Sequence, residues 1–172
     1  MELLIPGLIL VALMVYASTK IKKKAAQAFE PELLETEEFT ILKPEGFIHP
    51  LNNDQKFAFV AYSKEFGIDA ANNTRQASAR ISVFADANFD EICERVKLYG
   101  ANIFSETSTG SGGFRTCLIE GEGLENGVPV ETYYKIAAGN SKIYKLEILV
   151  LPEHKDDYMR RIKEMVESFA VK

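Results

Sequence analysis

The chain of 172 residues holds two histidines and two cysteines, and that scarcity excludes most catalytic chemistry before any motif is sought. His49 and His154 stand more than a hundred positions apart and neither sits in a metal-ligand pattern, so no structural metal is expected. No serine occupies a Gly-x-Ser-x-Gly elbow, and no Cys–His pairing is suggested. Gly110-Ser111-Gly112-Gly113 has the composition of a phosphate cradle. A working cradle opens a helix and is followed by Lys, whereas Phe114-Arg115 follow here, so a hairpin loop is expected. Glu120 and Glu122 flank Gly121 on one strand face, where solvated carboxylates are a simpler reading than an acid–base pair. Only a deep polar pocket around Glu120, Glu122 or Arg115 would revive an enzyme. No catalytic residue, no metal and no cofactor are expected.

Positive charge is also short, and it is unevenly placed. The net charge is −5, yet the first 24 residues carry Lys20, Lys22, Lys23 and Lys24 against Glu2 alone. The remaining 148 residues hold 16 Lys+Arg against 24 Asp+Glu, a net −8, which argues against nucleic acid as a partner.

The one long apolar run lies at the N-terminus, where residues 3–17 (LLIPGLILVALMVYA) carry no charge and no amide. A segment apolar on every side suits hydrocarbon better than a membrane surface. Its 15 residues rise only about 22 Å against roughly 30 Å of hydrocarbon, so lysine stems, Tyr16 at the interface and local thinning must cover the rest. Pro6 falls in the first turn, where its missing N–H costs little. A secretory signal needs positive charge before the run, and here it follows; no cysteine lies nearby to carry lipid. Residues 1–19 are therefore expected to be an uncleaved transmembrane anchor. The lysines Lys20, Lys22, Lys23 and Lys24 should stay cytoplasmic, touching anionic headgroups at about 1 kcal/mol each. The domain would then be cytoplasmic, with Cys93 and Cys117 reduced.

Residues 20–38 are expected as a basic, then acidic, juxtamembrane linker broken at Pro31, and residues 39–172 as one domain. Within it, strands are read near 39–43, 56–62, 79–84, 103–107, 114–123, 130–138 and 142–151 from alternating apolar residues. Asn126-Gly127 and Gly139-Asn140 are hairpin turns. Asn88 caps a helix ending at Gly100, with Glu91 closing a capping box and Phe89, Ile92, Cys93, Val96 and Tyr99 on one face. Pro152 leads a last helix with Tyr158, Met159, Ile162, Met165, Val166 and Phe169 as its apolar stripe. The fold class is α+β: an antiparallel sheet of about six strands with helices on its faces, preceded by one transmembrane helix.

The order of a Pro44-Glu45-Gly46-Phe47 strand end, an Asn-capped helix, a hairpin with Gly121-Glu122-Gly123, the strand Lys142-Ile143-Tyr144-Lys145-Leu146 and a helix ending Glu167-Ser168-Phe169 resembles the PsbP-like family over residues 39–169. That family's fold is shared by the extrinsic photosystem II protein and a small Ran-binding nuclear factor. The resemblance implies an antiparallel sheet with helices on both faces, used as a docking module and not as an enzyme. A photosynthetic role does not carry over to a chain with this N-terminus, and no metal or partner residue of the family can be matched. The expected function is a membrane-anchored accessory module whose partners are membrane lipid and another membrane-complex subunit. The alternative is an exported envelope or ligand-binding domain with an N-terminal signal anchor.

Overall fold

Nine residues of one strand, Ala77–Ala85 (β5), lie antiparallel to nine of another, Lys142–Val150 (β9), and the rest of the domain is laid on that pair. The computed structural model of the chain describes residues 4–50, 56–67, 74–99, 102–111, 114–139 and 141–172, without the side chains of residues 4–8, 24, 99, 111 and 114. Outward from the central pair run Phe59–Ser63 (β4) and Phe47–Ile48 (β3) on one side. On the other run Val128–Gly139 (β8), Phe114–Glu125 (β7) and Asn102–Ser111 (β6). The result is a seven-stranded antiparallel sheet ordered β3-β4-β5-β9-β8-β7-β6. Asn126 (φ 53°) and Gly127 (φ 80°) make the tight turn between β7 and β8 that their residue types favour. The next hairpin turns through Ser141 (φ 61°), while Asn140 lies outside the described residues, as do Gly112 and Gly113. Gly110 and Ser111, expected in a loop, continue β6 opposite Arg115 and Phe114.

A second, three-stranded sheet corrects the reading of residues 20–38 as a linker. Glu32–Glu35 (β1) pairs with Phe39–Lys43 (β2), Leu34 opposite Ile41, and Ala170–Val171 (β10) closes the other edge. Leu33 and Leu34 alternate too briefly to announce a strand, and the glutamates on either side look like a solvated run. The turn between β1 and β2 is closed by Thr36, whose Oγ1 accepts from the Phe39 amide at 2.9 Å.

Alternation along β5 and β9 sends one set of residues to each face. Ala79, Ile81, Tyr144, Leu146 and Ile148 meet Tyr158, Ile162 and Met165 of the helix Lys155–Ser168 (α3), with Phe39, Phe47, Phe59 and Phe169 closing this main core. Each large aliphatic or phenylalanine side chain among them contributes roughly 1.5–3 kcal/mol when fully buried. The far end of α3 is capped by Lys135, whose Nζ donates to the Val166 and Phe169 carbonyls at 2.7 Å each. On the opposite face the helix Phe89–Tyr99 (α2) buries Phe89, Ile92, Cys93 and Val96 against Cys117, Ile119, Ile136 and Ile143. Asn88 caps it as expected, its Oδ1 accepting from the Asp90 amide at 2.9 Å, while the Glu91 carboxylate turns to Arg95 at 2.8 Å. Eleven residues of helix reach only about 16 Å. Part of that sheet face is therefore left open.

Leu4–Gln27 (α1) is one helix of 24 residues, about 36 Å long. From Ile9 to Ile21 its large apolar side chains are 55–67% exposed, and none joins a core cluster of the domain. Among the described residues no helix is long and apolar enough to cross a membrane. Only residues 9–19 of α1 have described side chains ahead of Lys20, and eleven residues cover about 16 Å.

Candidate functional site

Two places on the domain bring polar groups together with apolar surface, and the first is where α1 leaves it. Lys43 is 2% exposed. Its Nζ donates to the Ala28 carbonyl at 2.8 Å, one residue past the end of α1, and lies 3.4 Å from Glu32 Oε2. A cation on the orphan carbonyls is the favourable sign of charge at a helix C-terminus. The Gly46 amide donates to the Phe29 carbonyl at 2.8 Å, from a turn in which Gly46 holds φ 84°, and Lys64 Nζ lies 5.5 Å from the Phe29 ring. The helix is thus fastened to the edge of the domain at residues 28 and 29. Lys20, Lys22 and Lys23 are exposed on α1 a turn or two earlier; Lys24 is on the same helix with its side chain outside the described residues. Lys20 Nζ lies 5.9 Å from the Tyr16 ring, and Thr19 Oγ1 donates back to the Val15 carbonyl at 2.8 Å.

The second place is the part of the sheet that α2 leaves uncovered. Here Arg80 and Ser82 of β5, Lys145 and Glu147 of β9 and Tyr134 of β8 form the floor of a cleft of about 430 Å3. Ile92, Arg95 and Val96 of α2 make one wall, with Lys56 and Phe57 opposite. Arg80 stands directly across from Glu147 in the strand register. Its Nε donates to Glu147 Oε2 at 2.7 Å, its Nη1 reaches Glu125 at 3.2 Å, and Lys145 Nζ lies 3.3 Å from the same Glu147 oxygen. Burial pushes the Glu147 carboxyl up, but the Arg80 hydrogen bond and the Lys145 and Arg80 charges outweigh it and hold the group below its ordinary range. Burial, with Glu147 next to it, pushes the Tyr134 hydroxyl up to about 12. The Arg80 guanidinium lies 5.6 Å from the Phe57 ring and Lys145 Nζ 5.7 Å from the Tyr134 ring. A second cleft of about 230 Å3 continues past Phe57 and Arg80 toward Tyr62, Arg75 and Leu149.

The residues weighed from sequence are scattered. His49 is stacked on Phe59 with ring centroids 5.2 Å apart, and its Nδ1 donates to the Val60 carbonyl at 2.6 Å. His154 faces Asp157 at 3.6 Å, far along the chain and in the short 3-10 turn before α3. Glu120 is exposed, Glu122 accepts from Asn102 Nδ2 at 3.1 Å, and Arg115 is paired with Asp90. Neither of these two clefts includes any of the three. Cys93 and Cys117 are both buried and unbridged between α2 and β7. Burial, and then the adjacent Cys117, push the Cys93 thiol up to about 12, so it is a packing group and a poor nucleophile. Among the described residues no cluster of three or more His, Cys, Asp or Glu is placed to hold a metal ion. Sequence reasoning passed over Arg80, Lys145 and Glu147. The one available signal was the pair of charges Lys145 and Glu147 between Ile143 and Leu149 on an otherwise apolar strand.

No protein-family model and no curated protein matches the sequence. Solved structures do match in shape. Cyanobacterial PsbP from Synechocystis sp. PCC 6803 superposes with TM-score 0.58 at 10% identity, over 84% of this chain and 94% of that one. LpqN of Mycobacterium tuberculosis, involved in cell envelope biogenesis, gives TM-score 0.56 at 10% identity, over 83% and 91%. A Pseudomonas aeruginosa protein of unknown function, described as a putative regulator, gives 0.50 at 15% identity, over 78% and 92%. At such identities it is the arrangement of elements that is held in common, and by that arrangement the chain has the PsbP-like fold.

Proposed function

We propose that the chain is a non-catalytic accessory module, anchored in a membrane by residues 1–19, that binds or steadies a subunit of a membrane protein complex at the cytoplasmic face. The observation that carries this reading is α1. Its apolar side chains from Ile9 to Ile21 stay 55–67% exposed on every side, with no domain surface laid over them. Left in water, eight such side chains forgo roughly 1.5–3 kcal/mol each, a cost that hydrocarbon removes. The sequence extends the described stretch by LLIPGL at residues 3–8, and Thr19 satisfies its hydroxyl within the helix. Lys20, Lys22, Lys23 and Lys24 follow as the headgroup-contacting set, and their side of the helix is the cytoplasmic one. Lys43 and Gly46 then hold the domain against the end of that helix, a geometry that suits a module presenting one fixed side to a neighbour. The PsbP-like fold is compatible with docking and supplies no catalytic centre of its own to this reading.

The test is cell fractionation followed by protease treatment. The chain should stay with membranes through an alkaline carbonate wash, resist protease in intact cells and become sensitive once the membrane is opened. It should also retain a partner after mild detergent extraction. Release by carbonate would overturn the anchor; digestion in intact cells would favour the exported reading; a solitary monomer would overturn the accessory role.

A further inference from the structure

The cleft between α2 and the β5–β9 pair is built for a charge the rest of the domain does not favour. Beyond the first 24 residues the chain carries a net −8, yet Lys56, Arg80, Arg95 and Lys145 converge on this one cavity with Glu147 as the single acid in its lining. Glu147 is shared by two cations, Arg80 at 2.7 Å and Lys145 at 3.3 Å. With Glu125 on Arg80 and Glu91 on Arg95 counted beside Glu147, four cations face three carboxylates, which leaves the cleft one positive charge in excess. The remaining acids nearby are at the edges: Glu125 takes one Arg80 nitrogen and Glu91 takes Arg95. The Arg95–Glu91 pair is exposed, and a pair of that kind is weak and exchanges readily with a competing anion, whereas the Arg80–Glu125 pair is half-buried. Alongside the cations lie Phe57, Phe84, Ile92 and Val96, so the cavity offers apolar surface beside its positive charges. A volume of about 430 Å3 falls in the range of small-ligand sites, roughly 300–1,000 Å3, which are apolar with a few convergent polar groups.

We propose that this cleft binds a small organic anion, a carboxylate or phosphate monoester carried on a flat apolar body. The anionic group lies over the Arg80–Glu147–Lys145 cluster, on the cleft side of the carboxylate that bridges the two cations, with Lys56 and Arg95 closing over it, and the apolar body packs on Phe57 and beneath Ile92 and Val96. Arg80 supplies planar paired donors suited to either group, and Lys145 a compact charge. A cleft of about 430 Å3 matches a small molecule in size better than an extended protein segment. The site does not depend on the anchoring of α1.

Calorimetry on the full chain in nonionic detergent, with detergent alone as the blank, tests this. The probe is 1-naphthyl phosphate, with 2-naphthoate, neutral 1-naphthol and inorganic phosphate as companions. Both naphthyl anions should bind, at least tenfold more tightly than either 1-naphthol or phosphate. The tighter-bound of the two naphthyl anions would identify the anionic group. The double variant Lys56→Gln/Arg95→Gln, whose changes are at the rim, should weaken 1-naphthyl phosphate at least tenfold. Ser82→Trp, which fills the floor, should abolish binding while the melting profile shows the fold intact. Equal binding of naphthol, unchanged affinity in the rim variant, or no heat with either anion would overturn the proposal. Displacement of the probe only by an acidic peptide would do the same, and would assign the cleft to a protein partner.

Discussion

Replacing Glu147 by glutamine should reveal how much of the fold rests on one buried carboxylate. Glu147 is 7% exposed and faces Arg80 and Lys145, whose side chains are 30% and 19% exposed. A hydrogen bond to a charged group contributes about 1.5–3 kcal/mol, and breaking a buried pair costs about 3–5 kcal/mol because a charge is left behind. Arg80 keeps Glu125 and some solvent, which screens the loss, so about 2–3 kcal/mol is expected at pH 7. For a chain of this size that lowers the melting temperature by about 5–10 °C. The pH dependence is a stricter check. The folded Glu147 carboxyl titrates below its ordinary value of 4.5. Its contribution is therefore complete above that value and disappears as pH falls through the folded one. Melting followed by circular dichroism from pH 8 to pH 3 should show a constant gap between wild type and Glu147→Gln down to about pH 5, and a closing gap below it. A gap under about 1 kcal/mol at pH 7, or one that persists undiminished at pH 3, would refute the reasoning. The double variant Arg80→Gln/Glu147→Gln should recover part of the loss, because the Arg80 charge is no longer left behind and Lys145 alone remains without its carboxylate.

Other features yield simpler outcomes. Lys43→Met removes the donor to the Ala28 carbonyl and the partner of Glu32; a loss of about 1–3 kcal/mol and faster proteolysis around residues 28–31 are expected in a limited digest. Gly121→Ala places a Cβ 2.3 Å from the Asn102 carbonyl oxygen, so β6 must move off β7; hydrogen exchange along residues 102–111 should rise several-fold while that of β9 stays unchanged. Cys93, with its thiol up at about 12, should resist iodoacetamide at pH 8 in the native protein and react within minutes once denatured; native labelling at the denatured rate would contradict the buried position.

The elements easiest to see in the sequence are those that bury one complete face. Tyr144, Leu146 and Ile148 alternate along β9, and Tyr158, Ile162 and Met165 recur along α3, because each set meets the same core from opposite sides. The strands that were missed have nothing comparable to show. β3 and β10 are two residues long, too short for any period, and β1 displays Glu32 and Glu35 outward around a pair of leucines. β6 reads as a short strand and runs ten residues, since residues 102–110 are exposed on both faces and the strand is held by its pairing with β7. A reading based on burial sees only strands that bury something.

The cleft was illegible for a different reason. Arg80 and Glu147 are 67 positions apart, and only the β5–β9 register sets them face to face, with Ser82 opposite Lys145 in the next pair of the same face. The two charges in turn help to choose that register. A slip of one residue would flip either strand, sending Arg80 or Glu147 into the core occupied by Ile81, Tyr144 and Leu146. There an uncompensated buried charge costs several kcal/mol, more than any single apolar contact the slipped pairing could restore. The arginine and glutamate that line the open cleft are thus also what makes the alternative alignment of the two central strands untenable.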